Sequence, residues 1–255
     1  MFGAIVGDVV GSSYERSPTK SLDFELFRKL SRLTDDSVLT IAVADWILSG
    51  GKLHDYFHRY VARYPFVGYS RTFKNWARSY DTKPYNSWDN GSAMRVSPTA
   101  YAADSLESVL VLAAQTAEVT HNHPAGIAGA QAVAGCIYLA RTGQSKQEIR
   151  EFVTAKFEYD LSRNLDDIRV SYSFDVSCAG SVPESILAFI ESDSFESAIR
   201  LAISLGGDAD TMACIAGAIA EPFYGGVPEI IQETTRTYLD DHLLGVIDAF
   251  CAKYA

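Results

Sequence analysis

Residues 206–220 read GGDADTMACIAGAIA, and their reading decides the fold. Asp208, Asp210 and Thr211 open the stretch, and from Ala209 to Ala220 it is apolar on nearly every side and built of small residues. A helix of that kind belongs in the middle of a large bundle, where Ala and Gly let neighbouring helices approach closely. A second segment, Val38 to Leu48, is apolar nearly all round and follows directly on Thr34-Asp35-Asp36. Two buried helices, each opened by two carboxylates and a threonine, are therefore expected.

Outward from these, the chain keeps helical period. Leu106, Val109, Leu110, Ala113 and Ala117 recur at three and four residues, as do Phe195, Ala198, Ile199, Ala202 and Ile203, and again Leu239, Leu243, Val246 and Phe250. Short connectors with turn chemistry, such as Ser49-Gly50-Gly51, Thr142-Gly143 and Gly225-Gly226, separate them. Tyr80 to Pro98 reads as the longest irregular segment, and its aromatic residues argue for an ordered, functional loop. No internal repeat or Pro/Ser-rich linker divides the sequence. The expectation is one all-α domain over residues 1–255, with about ten helices by typical helix and loop lengths.

Composition narrows the function. The 22 Lys plus Arg against 32 Asp plus Glu give a formal charge of −10, which disfavours nucleic acid as a partner. A hydrophobic fraction of 47% with 21% charged residues is ordinary for a globular core. The four cysteines, Cys136, Cys178, Cys214 and Cys251, form no CxxC pair and read as free thiols in a reducing compartment. No apolar run reaches the roughly 18 residues of a membrane span, and Asp8 interrupts the N-terminal apolar stretch, so a cytoplasmic protein without membrane contact is expected.

Taken singly, Thr34-Asp35-Asp36 and Asp208-Ala209-Asp210-Thr211 are ordinary helix starts, because Thr and Asp cap N-termini and first-turn acids suit the macrodipole. Taken together, they would gather four carboxylates at one spot if the two helices are neighbours, and like charges at short range do not all stay ionised unaided. A cation resolves this, and an all-oxygen donor set suits Mg²⁺, Mn²⁺ or Ca²⁺. With Glu15 as a fifth carboxylate, −5 faces +4 from two divalent ions, the balance of a two-metal centre.

Five ordered motifs make the sequence resemble the ADP-ribosylglycohydrolase family: Gly7-Asp8 through Glu15, Thr34-Asp35-Asp36, Asn90-Gly91-Ser92-Ala93-Met94-Arg95, Thr120-His121-Asn122-His123-Pro124 and Gly207-Asp208-Ala209-Asp210-Thr211. That family includes the dinitrogenase reductase-activating glycohydrolase and the ADP-ribosylarginine hydrolases. The resemblance implies an all-α, single-domain orthogonal bundle with a binuclear centre, Mg²⁺ first and Mn²⁺ second. It implies hydrolysis of the glycosidic bond between ADP-ribose and a protein side chain, arginine favoured, or a related small ADP-ribosyl compound, with ADP-ribose as product. Residue by residue, Thr34, Asp35, Asp36, Asp208, Asp210 and Thr211 match the metal ligands, and Glu15 matches a glutamate near the metals. Glu15 and Asp36 are the candidate general bases. Ser87, Trp88, Asn90, Gly91, Ser92, Met94 and Arg95 match a loop holding the diphosphate and adenosine, with His121 and Gly207 completing the substrate set. Trp88 or Tyr85 is the candidate stacking partner for adenine.

Other readings compete at particular residues. His121-x-His123 imitates a metal pair of amidohydrolase barrels, but the chain lacks their βα alternation, and His123 before Pro124 reads as a helix entry. Arg95 reads equally as a phosphate partner or as an internal ion pair. The Asp-Ala-Asp-Thr motif imitates haloacid dehalogenase phosphatases, whose motif follows a buried strand near the N-terminus. A non-catalytic relative, binding ADP-ribose or purely structural, is the alternative function. The sequence departs from the family pattern at Asp89, where Gly is usual. A carboxylate there would repel a diphosphate, and loss of Gly would forbid a positive φ.

Overall fold

The computed structural model describes residues 1–254. Among them, fourteen α-helices and one 3-10 turn follow in order. They are α1 (Phe2–Gly11), α2 (Asp35–Ser49), α3 (Leu53–Arg63), α4 (Arg71–Arg78), α5 (Gly91–Met94), the 3-10 turn η1 (Ser97–Ala100), α6 (Leu106–Glu118) and α7 (Pro124–Arg141). The second half carries α8 (Lys146–Phe157), α9 (Leu165–Ser171), α10 (Cys178–Glu191), α11 (Phe195–Ser204), α12 (Ala209–Phe223), α13 (Glu229–Arg236) and α14 (Asp241–Tyr254). The sequence expectation of about ten was low because α4, α5, α9 and α13 span only eight, four, seven and eight residues, too short for a hydrophobic stripe to repeat.

α12 is the axis of the bundle, packed by α1, α7, α10 and α11, and every residue from Ala209 to Ala220 is buried. Its closest neighbour is α1, and the reason is steric. Gly3, Gly7 and Gly11 recur every fourth residue along α1 and face Gly217, Ala213 and Ala209 of α12. A Cβ on Gly7 would lie 2.0 Å from the Ala213 carbonyl oxygen, so only glycine permits this approach. The backbones run nearly in contact, which brings Asp8 of α1 and Asp210 of α12 to the same end of the bundle.

Helix starts follow local chemistry. Ser70, Ser105, Ser145, Asn164, Ser177 and Ser194 each accept a bond from a backbone N–H of the helix they precede, the preferred N-cap interaction. His123 does the same through Nδ1, with Pro124 at the first helical position, as its sequence context predicts. α14 begins two residues later than the stripe starting at Leu239 suggests.

The expectation that Tyr80–Pro98 is the longest irregular segment is corrected. α5 and η1 interrupt it, and the longest helix-free stretch among the described residues is 12–34. That stretch is pinned by long-range bonds: Lys20 Nζ donates to the carbonyls of Tyr172 (2.7 Å) and Leu205 (2.5 Å), and Arg200 Nη1 to those of Leu22 and Phe24. No strand forms among the described residues; one isolated antiparallel bridge joins Asp89 to Ser177. All four cysteines are free, and no described helix is long and apolar enough to cross a membrane.

Candidate metal centre and substrate cleft

The first turn of α2 is set by a carboxylate from α1. Asp8, fully buried, accepts from Thr34 N (2.9 Å), Thr34 Oγ1 (2.6 Å), Ser37 N (3.1 Å) and the Ser37 hydroxyl. Thr34 is the N-cap, its hydroxyl oxygen accepting from Asp36 N at 3.3 Å. Fixed in this way, Asp35 is half-buried and Asp36 buried at the helix mouth, and Asp35 N donates to Val67 O at 3.0 Å.

α12 contributes from the opposite side. Asp208 occupies the N-cap position without a side-chain cap bond; its Oδ2 accepts from Asn90 Nδ2 at 2.8 Å, and the same nitrogen reaches Ser181 Oγ at 3.1 Å. Asp210 Oδ1 accepts from Thr211 N at 3.0 Å. The Thr211 hydroxyl lies against Asp36 and favours its charged form, while Asp36 Oδ2 is buried without any partner.

Burial acts on all of these acids, and repulsion between neighbours adds to it for Asp35, Asp36, Asp208 and Asp210. Asp35 is pushed up to about 7, first by burial and then by the charge of Asp8. Asp36 and Asp210 are pushed well above the usual carboxylate range by burial, then by Asp8 for the former and Asp208 for the latter. Asp8 and Asp208 are also raised by burial, against the hydrogen bonds that favour their ionised forms. Among the described residues, no Lys or Arg pairs with any of the five.

The arrangement fits a divalent cation: the donors are hard oxygens, their charge has no basic counterpart, and Asp36 Oδ2 is an orphaned acceptor. No three of these carboxylates converge on one point, however, although Asp208 and Asp210 are in hydrogen-bond contact. Among the described residues only His54, Asp55 and His58 place one ligand atom each within 4.8 Å of one another, and that cluster is elsewhere.

A cleft of about 310 Å³ opens over these acids. Glu15, Asp35, Asp36, Asp89, Asn90, Gly91, Met94, Arg95, His121 and Asp208 reach its wall. Other expected residues do not. Ser92 is fully buried with its hydroxyl donated to Gly126 O at 2.7 Å, and Trp88 is 50% exposed outside the cleft. Ser87 Oγ accepts from Asp89 N at 3.2 Å, and Gly207 packs against the ring of Tyr172. Thr34, Asp210 and Thr211 lie behind the first row of carboxylates.

Asn90 backbone N–H donates to Val176 O at 2.7 Å, and α5 is one turn long, so the expected phosphate cradle at Asn90-Gly91-Ser92 has Asn90 already bound at both its backbone N–H and its side-chain amide. Arg95 makes no ion pair among the described residues, so the internal ion pair, one of its two readings, is not found. Its guanidinium lies 4.4 Å over the Phe57 ring, and Nη2 donates to Thr116 O (3.0 Å) and Thr120 Oγ1 (2.8 Å). Burial lowers its pKa to about 10. Asp89 has no positive φ, so the turn does not demand glycine there.

A family model described as ADP-ribosylglycohydrolase matches residues 1–254. The chain belongs to the ADP-ribosylglycohydrolase family. It is 27% identical to the ADP-ribosylhydrolase ARH3 of Homo sapiens over 327 aligned positions, covering 95% of this chain and 89% of that one. It is 27% identical to the ADP-ribosylarginine hydrolase Tri1 of Pseudomonas putida, covering 89% and 71%. To the ADP-ribosyl-[dinitrogen reductase] glycohydrolase of Rhodospirillum rubrum it is 24% identical, covering 88% and 83%. In fold it is similar to a chain of an "ADP-ribosylglycohydrolase-related protein complex", with a TM-score of 0.72, 24% identity and 93% of each chain covered. As a member of this all-helical hydrolase family, the protein is not a haloacid dehalogenase-type phosphatase.

Within this family member, three groups escape the sequence reading. Asp8 organises the α2 mouth, and its signal was present in Gly7-Asp8, four residues beyond Gly3 and inside an apolar run. Phe174, 54% exposed, lines the cleft from the loop between α9 and α10, for which no pattern in sequence distinguishes it from a surface aromatic. Thr120 joins Arg95 to His121: its hydroxyl oxygen accepts from Arg95 Nη2 and lies 2.7 Å from His121 Nδ1. The other ring nitrogen, Nε2, is the one that a Cβ on Gly91 would approach at 3.0 Å.

Proposed function

We propose that the protein hydrolyses the glycosidic bond between ADP-ribose and a modified side chain, arginine favoured, releasing ADP-ribose. The observation that carries this reading is a group of carboxylates without a basic partner, Asp35, Asp36 and Asp208 at the wall of an open cleft with Asp8 and Asp210 buried behind them. Thr34, Asp35, Asp36, Asp208, Asp210 and Thr211 are the groups that would hold two divalent cations, Mg²⁺ first and Mn²⁺ second. The chemistry supplied by ions held there would be polarisation of water and stabilisation of charge as the anomeric bond breaks.

The chain's own residues supply the rest. Glu15, half-buried at the cleft wall where water enters, serves as general base in preference to Asp36, whose free oxygen is sealed inside. Asn90 holds Asp208 in place through its amide. His121 is kept neutral by burial and by the charge of Arg95, and its Nε2, beside Gly91 at the cleft wall, donates to a phosphate oxygen in the Nε2–H tautomer. Arg95 adds positive potential behind it. Phe174 offers an aromatic face for adenine at the cleft, a role that Trp88, outside it, fills less well. Arginine as the leaving side is favoured by the acidic rim, where Glu15 and Asp89 attract a guanidinium.

The test is release of ADP-ribose from arginine-linked and serine-linked protein substrates, with Mg²⁺ or Mn²⁺ and with chelator. Release from the arginine linkage, lost in Asp208→Ala and in Asp35→Ala while helical circular dichroism persists, is expected. Full activity in excess chelator overturns the metal assignment.

A further inference from the structure

Outside the cleft, α3 carries a cluster of a different chemistry. His54, Asp55 and His58 each bring one ligand atom within 4.8 Å of the others. His54 and His58 are four residues apart on one helix face, one turn above the other. His54 Nδ1 lies 3.0 Å from Asp55 Oδ1, and it is buried without a hydrogen bond.

His58 is held from behind. Its Nε2 is 3.0 Å from the carbonyl oxygen of Asp81, which only accepts, so Nε2 carries the proton and Nδ1 keeps a free lone pair. Trp76 and Tyr80 pack around the ring at 4.9 and 5.4 Å between centroids, and burial lowers its pKa, keeping the imidazole neutral. A backbone carbonyl that orients one imidazole nitrogen and frees the other is the usual support of a metal-ligating histidine. The Asp55 side chain, 60% exposed, supplies the charge and leaves an open side for water.

We propose that His54, Asp55 and His58 bind a divalent transition ion of the zinc class, at a site separate from the carboxylate cleft. Two imidazoles and one carboxylate suit Zn²⁺ or Co²⁺ and do not suit Mg²⁺, whereas the all-oxygen cleft has the opposite preference. The site has a structural consequence. It ties the start of α3 to the turn at Asp81, next to Trp76 of α4, and the same two helices provide Phe57, under the Arg95 guanidinium, and Phe73, on the cleft wall. All three ligands belong to α3, so an ion there fixes the first turns of that helix and the His58 ring that meets Asp81, without touching substrate.

The experiment titrates Co²⁺ into chelator-treated full-length protein carrying Asp35→Ala and Asp208→Ala, followed by visible d–d absorption. The unsubstituted protein in excess Mg²⁺ serves as a second sample. One equivalent of Co²⁺ should bind in both, be displaced by Zn²⁺ and be indifferent to Mg²⁺. His54→Ala and Asp55→Asn, both at partly exposed positions, should each weaken binding roughly 10- to 100-fold with helical content unchanged. Absence of d–d bands in both samples, or an affinity unchanged by His54→Ala, overturns the site. Because the readout uses no substrate and the cleft ligands are removed, either result leaves the glycohydrolase reading untouched.

Discussion

Asp8 Oδ1 accepts a 2.6 Å hydrogen bond from Thr34 Oγ1, and through it the first helix of the chain dictates where the second begins. The other oxygen of Asp8 takes Thr34 N, Ser37 N and the Ser37 hydroxyl, so four donors of the α2 N-terminus and its cap are satisfied by a residue outside α2. Asp8 touches no part of the cleft wall, yet it decides the direction in which Asp35 and Asp36 leave the helix.

Asp8→Ala is therefore expected to destabilise the protein by roughly 1–3 kcal/mol, the penalty for buried donors left without an acceptor. Metal affinity should fall as well, because Thr34 and the α2 mouth lose their anchor. Ser37→Ala removes one donor and leaves the Thr34 contacts in place, so it should cost less on both counts. Thermal melts together with Mg²⁺ calorimetry check the pair, and a Ser37→Ala effect as large as that of Asp8→Ala would refute the ranking.

The contact between α1 and α12 gives a sharper contrast. Gly7→Ala places a methyl 2.0 Å from a backbone oxygen, which neither helix can evade by rotating a side chain. Overpacking of this kind costs roughly 1–3 kcal/mol and sometimes more. Gly245 of α14 is exposed with open space around its Cα, so Gly245→Ala should leave stability unchanged or raise it by up to about 1 kcal/mol, from helix propensity alone. Chemical denaturation of the two single variants measures both signs.

The same contrast explains what was legible in the sequence. α12 and α2 were readable because burial on every side leaves an all-apolar run, whereas the acids that open them read singly as ordinary helix caps and stood out only as a pair. The stripe Gly3, Gly7, Gly11 was equally visible, but glycine recurs in turns as well, and its meaning needs the partner helix. Arg95 was undecidable between phosphate and ion pair because its actual partners, the rings of Phe57 and Phe73 and the oxygens of Thr116 and Thr120, come from α3, α4 and the end of α6. Phe174 and Val176 reach the cleft from a loop tethered by the bridge between Asp89 and Ser177, a tertiary contact with no local sign.

The raised carboxylates fix how stability must vary with pH in the metal-free protein. Asp35 titrates at about 7 in the folded chain against 3.8 as the ordinary value, and Asp8, Asp36, Asp208 and Asp210 shift in the same direction. A folded state that holds protons more tightly than the unfolded one is stabilised below the unfolded pKa and loses that stabilisation as pH rises through the folded pKa. In chelator, melting temperature should thus fall between about pH 5 and about pH 8, and saturating Mg²⁺ should flatten or reverse the trend, because the cation takes the place of the protons. A metal-free protein that is more stable at the higher pH contradicts the assignment of these acids as unpaired.

Asp89 is the remaining negative charge at the cleft wall, and its backbone removes one of the two reasons for expecting glycine there. Its φ is not positive, its N–H is bonded to Ser87 Oγ and its carbonyl accepts from Cys178 Sγ at 3.2 Å, so the turn is comfortable with a side chain. What is left is charge. Burial raises the carboxyl pKa, with the Ser87 hydrogen bond opposing, and the carboxylate that forms above that pKa faces the pocket in which a diphosphate would lie. Repulsion across such a partly screened distance is worth roughly 1 kcal/mol, or about a fivefold change in dissociation constant. Asp89→Gly and Asp89→Asn should therefore strengthen ADP-ribose binding to a similar degree. Asn keeps the backbone restriction and removes the charge, so equality of the two assigns the effect to electrostatics. The gain should shrink as pH falls through the Asp89 pKa, where the native residue becomes neutral. Calorimetric titration of ADP-ribose into the three proteins at two pH values decides it: unchanged affinity in both variants means that the carboxylate points to solvent, and a gain in Asp89→Gly alone means that backbone freedom is what the natural residue lacks.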